Sequence, residues 1–211
     1  GIVTRTDVLR ALHGRSYPHW YQMNVRPKVE VQQGITMLAD LMTERLPNRL
    51  QGLLLLIGQE AARHQVSAYL VGGIVRDLLL DVPNHDIDIA VIPSALEFAE
   101  QLGKVFGGSI KMYPQFGTAA IIRPDGSIVD LVTARSEFYA SPAAMPDVEQ
   151  GNLKQDLYRR DFTINTMAIA LHGPHYGQFY DYFGGRADLE EGIIRVLYNL
   201  SFVEDPTRIL R

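Results

Sequence analysis

The segment Tyr69–Ile92, YLVGGIVRDLLLDVPNHDIDIAVI, determines the fold of this chain. A short apolar stretch ends at two glycines, a mixed apolar and charged stretch runs as far as Pro83, and acids then alternate with isoleucines. Because glycine pairs and prolines end regular elements, we expect a strand, a tight turn, a helix and a second strand, in that order.

The second strand carries two aspartates. Residues i and i+2 of a strand share a face, so Asp86 and Asp88 point one way while Ile87 and Ile89 point into a core. At roughly 5–6 Å and an effective dielectric constant near 20, the two carboxylates repel each other by about 3 kcal/mol. Mg²⁺ removes such repulsion by binding one or two carboxylates together with phosphate oxygens. The pair therefore predicts a metal site, whereas the alternative is an edge strand with one solvated face.

A third carboxylate is expected from a neighbouring strand. Asp130, in the segment SIVDLVTA, has an apolar residue on each side, which places its side chain on the face opposite to theirs. Three carboxylates suit two divalent ions that together clamp an in-line displacement at phosphorus. We therefore expect Asp130 to complete the acidic site.

Gly72 and Gly73 join the first strand to the helix. Glycines at such a junction let a phosphate approach the backbone, and a helix N-terminus offers free N–H groups and a partial positive charge. Arg76 follows on the first turn, within reach of a triphosphate. The segment has neither the Lys-Ser/Thr pair of a P-loop nor the third glycine of the dinucleotide motif. The alternative is a tight turn that binds nothing.

Charged residues recur in the segment YRRDFTINTMA, at a predicted helix start. Arg159 or Arg160 is a candidate phosphate contact. Asp161 and Asn165 lie four residues apart on one helical face and are candidates for a ribose contact. In the alternative interpretation Asp161 only caps the helix.

In the segment EDPTR, Asp205 and Arg208 lie three apart on one predicted helix face. Cytosine and adenine each present an amino donor beside a ring-nitrogen acceptor, whereas guanine and uracil reverse that order. A carboxylate that accepts from the amine and a guanidinium that donates to the ring nitrogen would admit C and A, because each unpaired group costs about 1–3 kcal/mol. The alternative is an exposed pair worth a few tenths of a kcal/mol.

The composition excludes several classes of protein. The 211 residues have a net charge of −4, so no broad basic surface is available to a polyanion. There is no cysteine, and the six histidines lack zinc-site spacing, which excludes disulfides and disfavours a zinc centre. The longest apolar runs, such as Leu53–Ile57, are far shorter than the ~20 residues of a membrane-spanning helix. We expect a cytoplasmic piece of a longer soluble protein that makes no membrane contact.

Further elements are predicted around this unit. Apolar spacing predicts helices over residues 35–47, 49–65, 96–107 and 162–172, strands between 109 and 134 and over 192–198, a mobile loop over 140–156, and a helix that begins at 202. We therefore expect an α+β domain with a mixed, mostly antiparallel sheet flanked by helices.

Four segments, LVGGIVRDLLL…DIDIA, YRRDFTINTMA, FGGRADLEEGIIR and EDPTRILR, together resemble the class II tRNA nucleotidyltransferase and bacterial poly(A) polymerase family. The resemblance covers roughly residues 50–211 and implies a polymerase-β-like nucleotidyltransferase head followed by the start of a helical neck. It implies that Asp86, Asp88 and Asp130 hold two Mg²⁺ ions, with Mn²⁺ as an alternative, and that ATP or CTP is the substrate. The nucleotide contacts it implies are Gly72, Gly73, Arg76, Arg160, Asp161, Asn165, Asp205 and Arg208.

The resemblance also predicts domain order and partners. Residues 1–14 resemble the end of a CBS motif, residues 15–48 a linker and helix, residues 49–190 the head, and residues 191–211 the last head strand and the start of the neck. The expected reaction adds AMP or CMP to the 3′ end of tRNA, with most RNA contacts in a C-terminal body outside this chain. The alternatives are poly(A) addition to other RNA 3′ ends and a non-catalytic nucleotide-sensing or RNA-binding module. The motifs leave A-, CC- and CCA-addition and the oligomeric state open.

Overall fold

A seven-stranded sheet forms the centre of the molecule, with the strand order β3-β4-β5-β2-β1-β8-β9. The computed structural model describes residues 36–138 and 147–211, so the predicted CBS end and residues 15–35 of the predicted linker and helix lie outside the described residues. The strands are β1 Ser67–Val71, β2 Ile87–Ile92, β3 Ser109–Tyr113, β4 Thr118–Ile122, β5 Ile128–Thr133, β6 Arg135–Phe138, β7 Asp147–Gln150, β8 Met167–Ala170 and β9 Phe179–Asp181. The helices are α1 Ala39–Arg45, α2 Asn48–Arg63, α3 Gly73–Leu79, α4 Ala95–Phe106, α5 Leu153–Tyr158, α6 Gly185–Glu190 and α7 Ser201–Glu204.

The segment that opened the sequence analysis folds as predicted. β1 leads through Gly72 into α3, and β2 returns antiparallel to β1, with Tyr69 opposite Ala90. Ile87 and Ile89 are buried, as the alternation with the two aspartates requires. This unit places the glycine turn and the acidic strand side by side.

The sheet is mixed and mostly antiparallel, which confirms the α+β prediction. Among the described strands of the large sheet, β2 and β5 form the one parallel pair, and the other neighbours are antiparallel. A parallel pair needs a crossover connection, and α4 with the β3–β4 hairpin supplies it. The parallel register sets Asp88 opposite Asp130.

The two faces of the sheet are covered unequally. One face packs on α2, α3 and α4 through a large apolar core that includes Leu54 and Phe98. The other face is covered by the short helix α5, whose Leu153 and Leu157 pack against Ala90. Because α5 spans six residues, part of this second face stays open for a ligand.

Three predicted elements were wrong. The predicted helix over residues 162–172 is a short 3₁₀ turn, Thr163–Asn165, followed by β8. The predicted strand over 192–198 makes a single bridge, between Val196 and Phe162. The predicted loop over 140–156 contains β7 and the start of α5 in its described part.

At the C-terminal end the predicted helix is present in part. α7 has four residues, and a 3₁₀ helix, Pro206–Leu210, follows it. No helix in the described ranges is long and apolar enough to cross a membrane.

Candidate functional site

A cavity of about 930 Å³ opens on the uncovered sheet face. Ten of the eleven predicted site residues line it, and Asp86 is the one that does not. The ten are Gly72, Gly73, Arg76, Asp88, Asp130, Arg160, Asp161, Asn165, Asp205 and Arg208. The segments that the sequence separates by more than a hundred residues therefore meet in one place.

Two of the three predicted acids, Asp88 and Asp130, lie at the floor of this cavity. Asp88 in β2 and Asp130 in β5 are direct partners across the parallel pair, and Asp88 is half-buried. Asp86 is exposed and immediately precedes β2, so it is not a strand residue as expected. Burial raises the pKa of Asp88, and although Arg160 opposes the rise, the charges of Asp130 and Asp86 add to it. Burial and then the charge of Asp86 likewise raise the pKa of Asp130.

These pKa shifts come first from burial and then from repulsion among the three acids. Within residues 36–138 and 147–211, no three Asp, Glu, His or Cys side chains already lie close enough together to form a metal site. The donor set nevertheless fits a hard divalent cation, because it offers only carboxylate oxygens and carries negative charge that its neighbours do not fully balance. The residues that would hold such an ion are Asp86, Asp88 and Asp130.

Arg160 lies beside the glycine turn. A Cβ added to Gly72 would lie 3.0 Å from Arg160 Nη1 and 3.7 Å from Asp88 Oδ2, so the glycine leaves room for both side chains. Arg160 Nη2 donates to Asp156 Oδ2 at 3.1 Å. Its Nε is buried and has no hydrogen-bond partner among the described residues. A buried guanidinium donor without a partner, on the wall of a cavity, suits an anionic ligand.

Arg76 is oriented by side chains on both sides. Its Nε and Nη2 donate to the two carboxylate oxygens of Asp77, at 2.7 and 3.1 Å, and its Nη1 donates to Asn165 Oδ1 at 2.8 Å. Asn165 Nδ2 in turn donates to Asp161 Oδ1 at 2.9 Å. Burial raises the pKa of Asp161, but hydrogen bonds from Asn165, the Phe162 N–H and Arg211 outweigh it, so the pKa lies below its ordinary value. The carboxylate of Asp161 therefore stays ionised.

Asp205 and Arg208 lie at the other end of the cavity. Arg208 is buried, with 3% of its surface exposed, so the exposed-pair alternative is wrong. Its Nε lies 3.5 Å from Asp205 Oδ2, and its Nη2 donates to the Arg159 carbonyl at 2.8 Å. Arg211 connects this end to the centre, because its Nη1 lies 3.4 Å from Asp161 Oδ2 and its Nη2 lies 3.9 Å from Asp205 Oδ2.

The cavity differs in charge from the chain as a whole. Among the residues that the structure describes, six arginines and four aspartates line the cavity, while the full chain has a net charge of −4. The local excess of arginines suits a ligand that carries several negative charges, and the acids on the cavity floor suit a cation bound with that ligand.

Residues 68–195 match the Poly A polymerase head domain family. The chain belongs to this family. The A-adding tRNA nucleotidyltransferase of Geobacter sulfurreducens is 43% identical to it over 216 residues, which cover 100% of this chain and 24% of that protein. The chain therefore spans about a quarter of that curated relative.

Solved structures share this fold. A CCA-adding enzyme in an apo form superposes with a TM-score of 0.80 at 48% identity, over 84% of this chain and 42% of that one. A CCA-adding enzyme in complex with ATP superposes with a TM-score of 0.75 at 44% identity, over 84% of this chain and 40% of that one. The fold of the Poly A polymerase head domain is thus the fold described above.

Several residues of this head domain were missed by reasoning from the sequence. Asp156 is fully buried and binds both Arg159 and Arg160, but it lay in a predicted loop. Once that segment is recognised as a helix, the i,i+3 and i,i+4 spacing of Asp156 and the two arginines is a usable signal. Arg211 carries no such local signal, because its partner Asp161 lies 50 residues away in the sequence. Asp77 carries none either, because its partners Arg76 and Asn84 lie one and seven residues away, at neither the i,i+3 nor the i,i+4 spacing.

Proposed function

We propose that this chain is the catalytic head of a nucleotidyltransferase that adds AMP or CMP to the 3′ end of tRNA without a nucleic-acid template. The observation that carries the proposal is the pairing of Asp88 with Asp130 on the floor of a cavity whose walls carry Arg76 and Arg160. The Geobacter sulfurreducens relative is named an A-adding tRNA nucleotidyltransferase, which makes transfer of AMP the first case to test. The proposal includes a cytoplasmic site of action.

In the proposed reaction the 3′-oxygen of the RNA bonds to the α-phosphorus of the nucleotide, and the bond to pyrophosphate breaks. Asp86, Asp88 and Asp130 would hold Mg²⁺, and when bound Mg²⁺ supplies charge stabilisation for the attacking oxygen and for the leaving pyrophosphate. Arg76 and Arg160 would bind the phosphates on which negative charge develops as pyrophosphate leaves.

The remaining contacts would orient the nucleoside. Asp161 and Asn165 already bond to each other on the cavity wall, and we assign them to the ribose. Asp205 and Arg208 would select the base, the carboxylate by accepting from an amino group and the guanidinium by donating to a ring nitrogen. The proximity of the two groups, 3.5 Å between Arg208 Nε and Asp205 Oδ2, supports their action as a unit.

The experiment is incorporation of labelled AMP or CMP into tRNAs that lack all or part of the terminal CCA, using the protein at its full natural length. We expect Asp88→Asn to lower incorporation by roughly 10²–10³-fold, the cost of removing one group that stabilises the transition-state charge. The variant should keep its fold, because the substitution removes a like charge from the acidic cluster. Asp40→Asn, which changes an exposed acid of α1 outside the cavity, is the matched control. Wild-type incorporation by Asp88→Asn would overturn the site.

The same assay separates the rival functions. Repeated AMP addition to an unrelated RNA would favour a poly(A) polymerase. ATP binding with the same affinity in the presence and absence of Mg²⁺, together with no incorporation into any RNA, would favour a nucleotide-sensing module. Chelation of Mg²⁺ should abolish incorporation in the proposed enzyme, and Mn²⁺ should restore part of it.

A further inference from the structure

The side-chain amide of Asn84 lies between the glycine-turn helix and the acidic strand. Its Nδ2 donates to Asp77 Oδ2 at 2.6 Å, and its Oδ1 accepts from the backbone N–H of Asp86 at 2.8 Å. A carboxylate can only accept and a backbone N–H can only donate, so the two ends of the amide cannot be exchanged. Asn84 is half-buried and makes one contact to each of the two elements.

Asp77 extends this contact to Arg76. The Asp77 side chain is 13% exposed, and its two oxygens accept from Arg76 Nε, Arg76 Nη2 and Asn84 Nδ2. Arg76 thus forms a bidentate ion pair with Asp77, and Asp77 in turn accepts a hydrogen bond from Asn84. A bidentate pair fixes the plane of a guanidinium, which a single contact does not.

The backbone next to the turn is shaped around this arrangement. A Cβ added to Gly73 would lie 3.5 Å from Arg76 Nη2 and 3.7 Å from Asn84 Nδ2. The first residue of α3 therefore lies beside the place where the arginine and the asparagine converge on Asp77, and a side chain there would come into ordinary van der Waals contact with both. Arg76 lines the large cavity, whereas Asp77 and Asn84 do not.

We propose that Asn84 is a positioning residue, which holds the Arg76 guanidinium through Asp77 in the orientation that binds the phosphates of the nucleotide. With its other end Asn84 fixes the backbone at Asp86, so one amide sets the phosphate-binding arginine and the start of the acidic strand relative to each other. The inference rests on the proposed function, because it assigns the phosphates of a nucleoside triphosphate to Arg76.

The test separates the two ends of the amide. Asn84→Asp keeps an oxygen for the Asp86 N–H but places a carboxylate against Asp77, so the contact to Asp77 is lost. The dissociation constant of ATP is measured by calorimetry in EDTA, with the protein at its full natural length, for the wild type, Arg76→Ala, Asn84→Asp and the double variant. Asn48→Asp makes the same chemical change at an exposed position of α2 and is the control.

We expect Asn84→Asp to raise the dissociation constant of ATP roughly tenfold, the effect of misplacing one charged hydrogen-bond donor. In the Arg76→Ala background the same change should raise it by less than about twofold, because a residue that acts through Arg76 has no effect once Arg76 is gone. The KM for ATP should rise in proportion to the dissociation constant, and Asn48→Asp should match the wild type.

Two results with Asn84→Asp would overturn the inference. Unchanged ATP affinity in Asn84→Asp would show that only the turn at Asp86 matters. Equal rises with and without Arg76 would show that the new charge repels ATP directly. If circular dichroism shows that Asn84→Asp is unfolded, Asn84→Ala enters the same cycle and is judged by the same two criteria. A wild type that binds ATP neither in EDTA nor with Mg²⁺ would refute the proposed function and the inference with it, whereas weak binding by Arg76→Ala and normal binding by Asn84→Asp would refute the inference alone.

Discussion

Gly72 has φ +79° and ψ −140°, a backbone conformation that residues with side chains avoid. A Cβ at this position would also lie 3.0 Å from Arg160 Nη1. We expect Gly72→Ala to lower the free energy of unfolding by roughly 1–3 kcal/mol, the usual cost of such a conformation. It should also lower nucleotide affinity, because the methyl group displaces Arg160. Urea denaturation and ATP titration measure the two effects.

Gly52→Ala is the matched control for that substitution. Gly52 lies inside α2 with no atom within 4 Å of an added Cβ, and its φ is not positive. Alanine is the better helix former, so this variant should gain about 1 kcal/mol in unfolding free energy and bind ATP as the wild type does. Equal stability of the two alanine variants would contradict the assigned role of the turn.

Asp205 is the residue that tests base selection with least damage to the fold, because Arg208 is buried and Asp205 is not. Asp205→Asn replaces one accepting oxygen by an amide donor, which can bond to the carbonyl oxygen of guanine or uracil, so one of the two groups that exclude these bases is removed while Arg208 still opposes their ring N–H. We expect the preference for ATP and CTP over GTP and UTP to fall by tenfold or more, as about 1–3 kcal/mol per mismatched group implies. Incorporation with each nucleotide supplied separately gives the ratio, and an unchanged ratio would argue against base selection by this pair.

At the scale of elements, the helices and strands that could be predicted are those whose sequence pattern and stop signals are local. The strand, turn and helix of Tyr69–Ile92 have clear stops in Gly72 and Pro83, and the structure confirms them. The segment of β8 was predicted as a helix because its apolar residues follow one another without a strand-like alternation. In the structure all four residues of β8 are buried, and a fully buried strand has no alternation that distinguishes it from a buried helix. The segment over residues 192–198 has strand composition, but a strand also needs a partner, and β9 forms no pair with it.

The site was predictable to the same extent. The type and spacing of residues in compact motifs, such as Asp88 and Arg76, predicted that they lie at one site, and both line the cavity. Contacts such as those of Asp156 depend on where α5 packs, which no local pattern specifies.

The helix α5 carries its own prediction through Asp156. Burial raises the pKa of Asp156, but the charges of Arg160 and Arg159 and their hydrogen bonds outweigh it, so the pKa lies below its ordinary value. A group with a lowered pKa in the folded state contributes stability that is present above the unfolded-state pKa, near 4, and is lost as the pH falls through the folded-state pKa. We expect Asp156→Asn to lose roughly 3–5 kcal/mol at neutral pH, because the substitution neutralises a fully buried acid that pairs with two largely shielded arginines. The difference between variant and wild type should shrink below about pH 4, as urea denaturation across the acid range will show.

Glu190→Gln gives the control for that experiment. Glu190 and Arg186 form a pair with the same i,i+4 spacing at 2.9 Å, but their side chains are 64% and 48% exposed. An exposed helical pair contributes about 0.3–0.5 kcal/mol, so its loss should be small at every pH. A loss in Asp156→Asn no larger than in Glu190→Gln would mean that the buried pairs do not stabilise α5.

At the scale of the whole molecule, the charge distribution predicts how salt affects binding. The chain carries a net charge of −4, yet the cavity lining has more arginines than aspartates, so the rest of the chain has a net negative charge. This net negative charge repels a triphosphate at long range, while the arginines attract it at short range. Raising the ionic strength from about 0.1 to 1 M shortens the Debye length from roughly 10 to 3 Å and screens exposed charges more than buried ones.

We therefore expect ATP affinity in EDTA to fall only modestly across this range, by less than about tenfold. Salt weakens the attraction to Arg160 and Arg208 only slightly, because both side chains are largely shielded from solvent. Salt also screens the long-range repulsion between ATP and the net negative charge of the rest of the chain. Calorimetric titration at several salt concentrations measures the slope, and adenosine, which has no phosphates, is the uncharged control. A steep loss of ATP affinity with adenosine unaffected would place the phosphates on exposed arginines such as Arg211, whose side chain is 56% exposed, and not on the shielded wall beside Gly72.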